Sequence, residues 1–325
     1  MNSTISKIKG IFNLLKHIDI DQISKISEKV DLPKLMNQFS KLDDNQIKGL
    51  TKMLDSSGKK KELPPINGDF YELHMKLTDE QRAIQLKVRE FMEKEAKPLV
   101  NDYWLHDDFP HELIPKFKKL NLCGVTYEGY GCPNLPFLME GVIAMEIARV
   151  DASLATFFGV QSGLSMGSIY MCGSEEQKQK YLPGMQQFDL IGAFGLTEPE
   201  VGSGAAGGLT TTCKKVEGGW ILNGQKKWIG NATFADVIII WARDLDDNQV
   251  KGFIVEKGTE GFSVEKIKGK MALRIVQNGL ITMKDCFVAD SQKMEHANSF
   301  KDTAKVLQMT RAGVAWMATG CARGA

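Results

Sequence analysis

The stretch Phe194-Gly-Leu-Thr-Glu-Pro-Glu-Val-Gly-Ser-Gly-Ala-Ala-Gly207 runs from a strand-like segment into a proline turn and then into small residues. Small residues let backbone N–H groups approach a ligand closely, and clustered N–H donors suit carbonyl or phosphate oxygens. The hydroxyls of Thr197 and Ser203 add further donors. On composition alone a plain connection between strands is favoured, because Gly and Ser clusters usually mark loops.

A second stretch, Asn223-Gly-Gln-Lys-Lys-Trp-Ile-Gly-Asn-Ala-Thr-Phe-Ala-Asp236, reads as a hairpin turn followed by a strand. Trp228 stands near Gly230, and an indole beside a glycine could wall a flat aromatic cofactor. Packing in the core is the commoner fate of a single tryptophan. Neither stretch has the spacing of a Rossmann loop or a P-loop, and a strand, not a helix, is expected after the first.

Helical patterns precede both stretches. Thr78-Asp-Glu-Gln81 and Ser174-Glu-Glu-Gln177 have the form of capping boxes, in which hydroxyl and amide side chains bond each other's backbone N–H. Between them, residues 138–150 and 152–172 are apolar at helical spacing. The second segment is apolar nearly all round, which indicates burial on every side. The helix after Ser174 is expected to end near Pro183.

The spacing then changes to that of short strands separated by Gly, Asn and Asp turns. Seven strands are expected, at residues 190–196, 209–215, 220–226, 236–242, 252–256, 262–267 and 280–288. From Asn298 the helical spacing returns. We therefore predict an α+β multidomain fold: an N-terminal all-α domain, a middle β-sandwich or barrel domain, and the start of a C-terminal helical bundle that is cut off.

Four regions follow from these patterns. Residues 1–62 read as short amphipathic helices and a basic, proline-containing linker, and residues 63–188 read as the all-α domain. Residues 189–292 form the predicted β-domain, and residues 293–325 form the first helix of the C-terminal domain. That helix should have antiparallel partners, so the chain reads as the front part of a longer, truncated architecture.

Composition narrows the class of protein. The 41 Lys+Arg and 40 Asp+Glu residues leave a net charge of +1, which gives no reason to expect nucleic acid or a membrane surface as a partner. The cysteines lack metal-ligand spacing, so no metal is expected and free thiols in a reducing compartment are favoured. No apolar run is long enough to span a bilayer. Residues 5–18 are amphipathic but lack the arginine of a mitochondrial transit peptide.

The two stretches together carry a family resemblance. Leu-Thr-Glu-Pro-x-x-Gly-Ser at 196–203, followed by Asn-Gly-x-Lys-x-Trp-Ile-x-Asn at 223–231, resembles the paired flavin-binding signatures of the acyl-CoA dehydrogenase family. The flanking segments at 146–151 and 173–178 agree. The resemblance extends over roughly residues 76–325. Within the family, the chain is most similar to glutaryl-CoA dehydrogenase and to the short-chain acyl-CoA oxidases of plant peroxisomes.

The resemblance implies an FAD site whose contacts would be Phe194, Leu196, Thr197, Ser203, Trp228, Ile229 and Gly230. The first three would contact the isoalloxazine ring. Ser203 would lie near the pyrophosphate and the thioester arm of the substrate, and a main-chain N–H at Gly230 would lie near flavin N5. Gln308 and Arg311 would face the CoA moiety, although an arginine on a helix is more often a solvated or salt-bridged residue.

The implied reaction is FAD-dependent α,β-dehydrogenation of a saturated acyl-CoA to the trans-2-enoyl-CoA, with a carboxylate removing the α-proton. The family's catalytic glutamate lies in the C-terminal helical domain, so no catalytic residue is assigned here, and Glu198 and Glu200 are not offered in its place. The electron acceptor would be electron-transfer flavoprotein or oxygen. The full-length protein would form a homo-oligomer.

Three residues depart from the family pattern. Gly204 stands where many relatives carry aspartate, and Gly230 stands where many carry threonine or serine. Ala155 occupies the position of the arginine that pairs with the distal carboxylate in glutaryl-specific members. Because an unpaired buried carboxylate would cost several kcal/mol, we expect a short, simple acyl chain and not glutaryl.

Other interpretations stay open. The chain could be a non-catalytic or inactive flavin- or acyl-CoA-binding fragment that lacks the catalytic domain. It could also be an interaction protein built on residues 1–57. The absence of a secretory signal favours a cytoplasmic location, with mitochondrial and peroxisomal locations as alternatives.

Overall fold

The computed structural model describes Gln46 and residues 72–325. The chain divides into two units, Met1–Gly68 and Asp69–Ala325, and residues 72–325 belong to the second. The predicted short helices of residues 1–57 and the linker that follows them lie outside the described residues, except for Gln46, which is helical and exposed.

The second unit begins with helices. The 3₁₀ turn Leu73–Lys76 precedes them, and they are α1 (Asp79–Phe91), α2 (Lys97–His106), α3 (Ile114–Leu120), α4 (Phe137–Ala148), α5 (Ala152–Gly159), α6 (Met166–Cys172) and α7 (Glu175–Gln186). A further 3₁₀ turn spans His111–Leu113. Both predicted capping boxes are present, at Thr78 with Gln81 and at Ser174 with Gln177. The predicted N-terminal all-α domain is confirmed.

Two π-helical turns interrupt the helical pattern, at Met92–Ala96 and at Val160–Ser165. The second divides the predicted helix over 152–172 into α5 and α6. A π turn inserts one extra residue and so changes which side chains face a neighbouring element. Here the turn meets the first strand of the β-domain, because the buried side chain of Gln161 accepts from Gly192 N and donates to Leu190 O at 2.9 Å.

The predicted end of α7 near Pro183 is wrong, since the helix continues to Gln186. Proline removes one helical hydrogen bond and costs about 3 kcal/mol in a helix interior. Leu182 and Met185 are both fully buried and pack in the core, which offsets that cost. The main chain recovers after the proline, where Gln187 N donates to Pro183 O at 3.2 Å.

All seven predicted strands are present, and they form one sheet. They are β1 (Gly192–Gly195), β2 (Thr212–Val216), β3 (Gly219–Ile229), β4 (Val237–Asp244), β5 (Val250–Glu256), β6 (Phe262–Lys266) and β7 (Gly279–Ala289). Strand β4 pairs with β5 on one side and is parallel to β1 and β2, and the order continues through β3 and β7 to β6. The 3₁₀ turn Asp290–Gln292 follows β7.

The short helix α8 (Ala205–Gly208) lies between β1 and β2. The last element is α9 (Phe300–Gly324), which confirms the predicted helix after Asn298. Its N-terminus is capped by Ser299 and the Asp302 side chain. The helix lies against α4 so closely that a Cβ on Gly320 would stand 2.4 Å from the carbonyl oxygen of Met145. Within residues 72–325, no helix has the length and apolar character needed to cross a membrane.

Candidate functional site

The stretches 194–207 and 223–236 lie side by side in the fold. After β1, the carbonyl of Thr197 accepts a hydrogen bond of 2.9 Å from the backbone N–H of Lys227 on β3. Phe194 and Leu196 are each 8% exposed and belong to the core, while Thr197 is half-buried. The loop that follows β1 and the end of β3 therefore lie against each other, and we call them the two walls of the candidate site.

A bulge in β3 turns Trp228 outward. The register of β3 against β7 shifts between Lys226 and Ile229, and Trp228 has a positive φ of 65°. A bulge leaves a residue out of the ladder and redirects side chains. Ile229 is buried, whereas the Trp228 side chain is among the exposed large hydrophobic residues, at 51%. Trp228 therefore does not pack in the core, which is the commoner position for a single tryptophan.

Each wall contains a backbone N–H group without a protein partner in the described part of the chain. Within residues 72–325, the N–H groups of Thr197 and Gly230 make no hydrogen bond to the protein. A Cβ added to Gly230 would meet Val276 at 3.4 Å and Val160 at 3.5 Å, which is ordinary contact. Two free donors beside an exposed indole suit a flat polar ring, so the residues present fit a flavin.

The glycine-rich part of the first loop is open. A Cβ on Gly202 or Gly207 would meet no atom within 4 Å, and one on Gly204 would only touch Val201 at 4.0 Å. Ser203 is exposed. The prediction that a strand follows directly is wrong, because the short helix α8 (Ala205–Gly208) comes before β2. Ala205 is 6% exposed, and its burial holds this single turn against the core.

A buried ion pair lies behind the two walls. Lys226 Nζ is 2.8 Å from Glu198 Oε1, and neither side chain has exposed surface. Burial and the attraction of Lys226 act in opposite directions on Glu198, and the lysine and its hydrogen bonds prevail, so the pKa of Glu198 is lowered to about 2. Burial lowers the pKa of Lys226 to about 8.

The substrate residues expected on α9 are not joined to these walls. Gln308 and Arg311 are exposed, and no hydrogen bond or ion pair to the loops is made by either within the described part of the chain. Their neighbour Thr310 lies close to the π turn, since its methyl group would be 3.1 Å from a Cβ on Gly163. Helix α9 therefore borders the same π turn that reaches Gly230 through Val160.

Two polar residues were not singled out as site residues from the sequence. Lys226 lies on the inward face of β3, four residues after the buried Leu222. Residues an even number of positions apart in a strand share a face, so this spacing could have indicated that Lys226 is buried. Glu140 lies in the first turn of α4, and burial raises its pKa to about 7. No pattern in the sequence marked Glu140, because the side chains around it come from distant segments.

Across residues 72–325, no group of three or more His, Cys, Asp or Glu side chains is placed to hold a metal ion. The cysteines there are unpaired thiols. Burial raises the pKa of Cys172 to about 11, which keeps that thiol protonated.

Comparison with known proteins shows the family to which the chain belongs. The acyl-CoA dehydrogenase N-terminal domain family matches residues 78–189, and the acyl-CoA dehydrogenase middle domain family matches residues 193–286. An acyl-CoA dehydrogenase of Bacillus subtilis is 34% identical over 256 residues, which cover 77% of this chain and 67% of the relative. The short-chain specific acyl-CoA dehydrogenase of Clostridium acetobutylicum is 31% identical, with coverages of 77% and 67%.

A solved structure gives the same result. The glutaryl-CoA dehydrogenase of Mycobacterium smegmatis in complex with FADH2 superposes with a TM-score of 0.75 at 35% identity, covering 78% of this chain and 65% of that chain. The helical domain followed by the curled sheet thus defines the architecture of a flavoprotein dehydrogenase. The chain belongs to the acyl-CoA dehydrogenase family, a family of oxidoreductases, and the match spans about two thirds of the length of these relatives.

Proposed function

We propose that the chain provides the flavin-binding part of an enzyme that dehydrogenates a short saturated acyl-CoA to the trans-2-enoyl-CoA with FAD as cofactor. The observation that carries this proposal is the meeting of the two signature loops at Thr197 and Lys227, with free donors at Thr197 and Gly230 beside the exposed indole of Trp228. Bound FAD would supply the acceptor for the hydride that leaves the β-carbon.

Each wall has a distinct part in this proposal. The N–H and hydroxyl of Thr197 hold the polar edge of the ring, and the buried side chains of Phe194 and Leu196 fix the wall behind it. Trp228 and Ile229 would flank the ring, and the N–H of Gly230 would serve its central nitrogen. Exposed Ser203 lies on the open loop and serves the pyrophosphate and the thioester arm, while Gln308 and Arg311 on α9 serve the CoA moiety.

No proton acceptor is assigned within this chain. Glu198 is excluded from that role, because its carboxylate is bonded to Lys226 and to Thr210 and its low pKa, about 2, makes it a poor base near neutral pH. The family resemblance places the catalytic glutamate in the C-terminal helical domain.

The acyl group is proposed to be short and without a distal carboxylate. Ala155, at the position expected for the glutaryl-binding arginine, is 2% exposed and lies within α5. Its methyl group offers no partner for a carboxylate, and burying an unpaired carboxylate is unfavourable. The short-chain specificity named for the Clostridium acetobutylicum relative supports the same substrate class.

Anaerobic addition of acyl-CoA to the FAD-loaded full-length protein tests this function. Butyryl-CoA is expected to bleach the visible flavin band, and glutaryl-CoA is expected to react at least tenfold more slowly. Equal rates would contradict the proposed substrate. A flavin band that shifts without bleaching would favour the alternative of a non-catalytic binding protein. In a separate experiment, loss of partner binding on deletion of residues 1–57 would favour an interaction protein.

The domain boundaries, the electron acceptor, the oligomeric state and the location are also proposals. We propose domains at 1–62, 63–188, 189–292 and 293–325, supported by the family matches at 78–189 and 193–286. Electron-transfer flavoprotein or oxygen is the proposed acceptor, and a homo-oligomer is the proposed full-length state. The proposed location is cytoplasmic, with mitochondrial and peroxisomal locations as alternatives.

A further inference from the structure

The buried pair of Lys226 and Glu198 joins the two walls of the site. Lys226 belongs to β3, two residues before Trp228, while Glu198 belongs to the loop after β1. Besides its 2.8 Å contact with Glu198, the ammonium group of Lys226 donates to the carbonyl of Leu196 at 3.1 Å. One side chain thus fixes both the carboxylate and the main chain of the opposite wall.

Glu198 extends the same connection to the far end of the glycine-rich loop. Its Oε2 accepts from the backbone N–H of Thr210 at 2.6 Å and from the Thr210 hydroxyl at 2.7 Å, and its Oε1 accepts from Thr211 N at 2.9 Å. The carboxylate therefore closes the segment from 198 to 211 at both ends. The small residues between these ends have little packing of their own.

Stability alone does not explain this pair. Replacing a buried ion pair with neutral side chains of similar size is often neutral or stabilising, because desolvation offsets the attraction between the charges. The pair does, however, fix geometry. Lys226 Nζ holds the Leu196 carbonyl and Lys227 N holds the Thr197 carbonyl, so both carbonyls point toward β3. The N–H of Thr197 is left without a partner in the described chain.

We propose that Lys226, acting through Glu198 and Leu196, is a positioning residue for the flavin. It sets the separation of the two walls so that the donors at Thr197 and Gly230 reach one ring. The inference rests on the proposed function, because it assumes that FAD binds between these walls. Lys226 itself is fully buried and is not proposed to touch substrate or cofactor.

The test uses variants that remove the pair without leaving a lone buried charge. In the double variant Lys226→Met with Glu198→Gln, the single amide oxygen can take the place of Oε2 and still accept from Thr210, but the hydrogen bond from Thr211 N and the link to Lys226 are lost. FAD affinity is expected to fall at least tenfold, and the visible circular dichroism of the bound flavin is expected to change. The melting temperature without FAD is expected to stay within a few degrees of wild type.

Lys251→Met provides a matched control in the same sheet. Lys251 is a buried lysine on β5 that pairs with Asp247, and it makes no contact with either wall. This control is expected to lose stability while keeping the wild-type FAD affinity and flavin spectrum. A purely structural role for Lys226 would give the same outcome for the double variant as for this control.

The outcomes separate the inference from the proposed function. Unchanged FAD affinity and spectrum in the double variant would overturn the inference while leaving FAD binding intact. A wild-type protein that takes up no FAD would overturn both. If the double variant does not fold, Lys226→Arg is the deciding variant. It keeps the positive charge but replaces the ammonium with a larger planar group. Wild-type FAD affinity in Lys226→Arg would also overturn the inference.

Discussion

Glu140 shows how one carboxyl group depends on its surroundings. Its Oε2 atom is buried and has no hydrogen-bond partner among the described residues, and its Oε1 would lie 3.6 Å from a Cβ on Gly163. Of the elements around it, the π turn 160–165 carries no titratable side chain, and the preceding loop contributes Tyr127, whose pKa Glu140 helps to raise. Removal from water thus dominates the titration of Glu140.

Glu140→Gln tests this carboxyl group. Burial raises its pKa from 4.5 in the unfolded chain to about 7 in the fold, so the folded state binds the proton more tightly. Its stabilising contribution is full below pH 4.5 and is lost as the pH rises through about 7. Relative to wild type, the variant should gain up to about 3 kcal/mol of unfolding free energy on going from pH 4.5 to pH 8.

Urea unfolding across that pH range measures the effect. Glu217→Gln is a suitable control, because Glu217 is exposed in the turn between β2 and β3. A difference between the Glu140 variant and wild type that stays constant with pH would show that Glu140 titrates as an ordinary surface carboxyl.

The contact between β1 and the π turn 160–165 depends on the absence of a side chain at Gly192. A Cβ on Gly192 would lie 2.3 Å from Ser165 Oγ and 2.6 Å from the Met185 methyl group. These distances are well inside van der Waals contact, so β1 and the helices approach each other only because residue 192 is glycine.

Gly192→Ala should therefore lower the free energy of unfolding by about 1–3 kcal/mol through overpacking. The matched change Gly204→Ala, in the open loop, should alter it by less than about 0.5 kcal/mol. Thermal or urea unfolding of the two variants provides the measurement. If Gly192→Ala lost as little unfolding free energy as Gly204→Ala, the close approach of β1 to the π turn could relax without cost.

The elements also show which features a sequence can predict. The capping boxes at Thr78 and Ser174 are local patterns, and the structure has both. The bulge at Trp228 could not be predicted, because tryptophan carries no preference for its positive φ and the neighbouring strand imposes it. The π turn at Val160–Ser165 is equally a product of tertiary packing, since its residues form an uninterrupted helical pattern.

Only the parts of the candidate site that lie within the family motifs could be predicted from the sequence. The loops at 194–207 and 223–236 were identified, and the structure places them together. The pairing of Lys226 with Glu198 was not, because the residues stand 28 positions apart and their contact depends on the arrangement of β3 beside the loop after β1. Local spacing carries no information on such long-range pairs.

Within residues 72–325, the helices and the sheet are connected at several points. Gln177, in the capping box of α7, also donates to Ser291 O at 2.7 Å and to Lys293 O at 2.9 Å, beyond the last strand. Gln161 makes a second connection, from the π turn to β1. The walls of the candidate site are therefore held by both the helical and the β-rich parts of the chain.

Equilibrium dialysis against FAD, with wild type and two tryptophan variants, tests whether a flavin binds between the loops at 194–207 and 223–236. Trp228 and Trp104 are both exposed with a cation over the ring, Lys227 at 5.5 Å and Arg274 at 4.8 Å. Wild type and Trp104→Ala should bind one FAD per chain with equal affinity, and Trp228→Ala should bind at least tenfold more weakly. No FAD uptake by wild type, or full affinity in Trp228→Ala, would contradict a flavin site between these two loops.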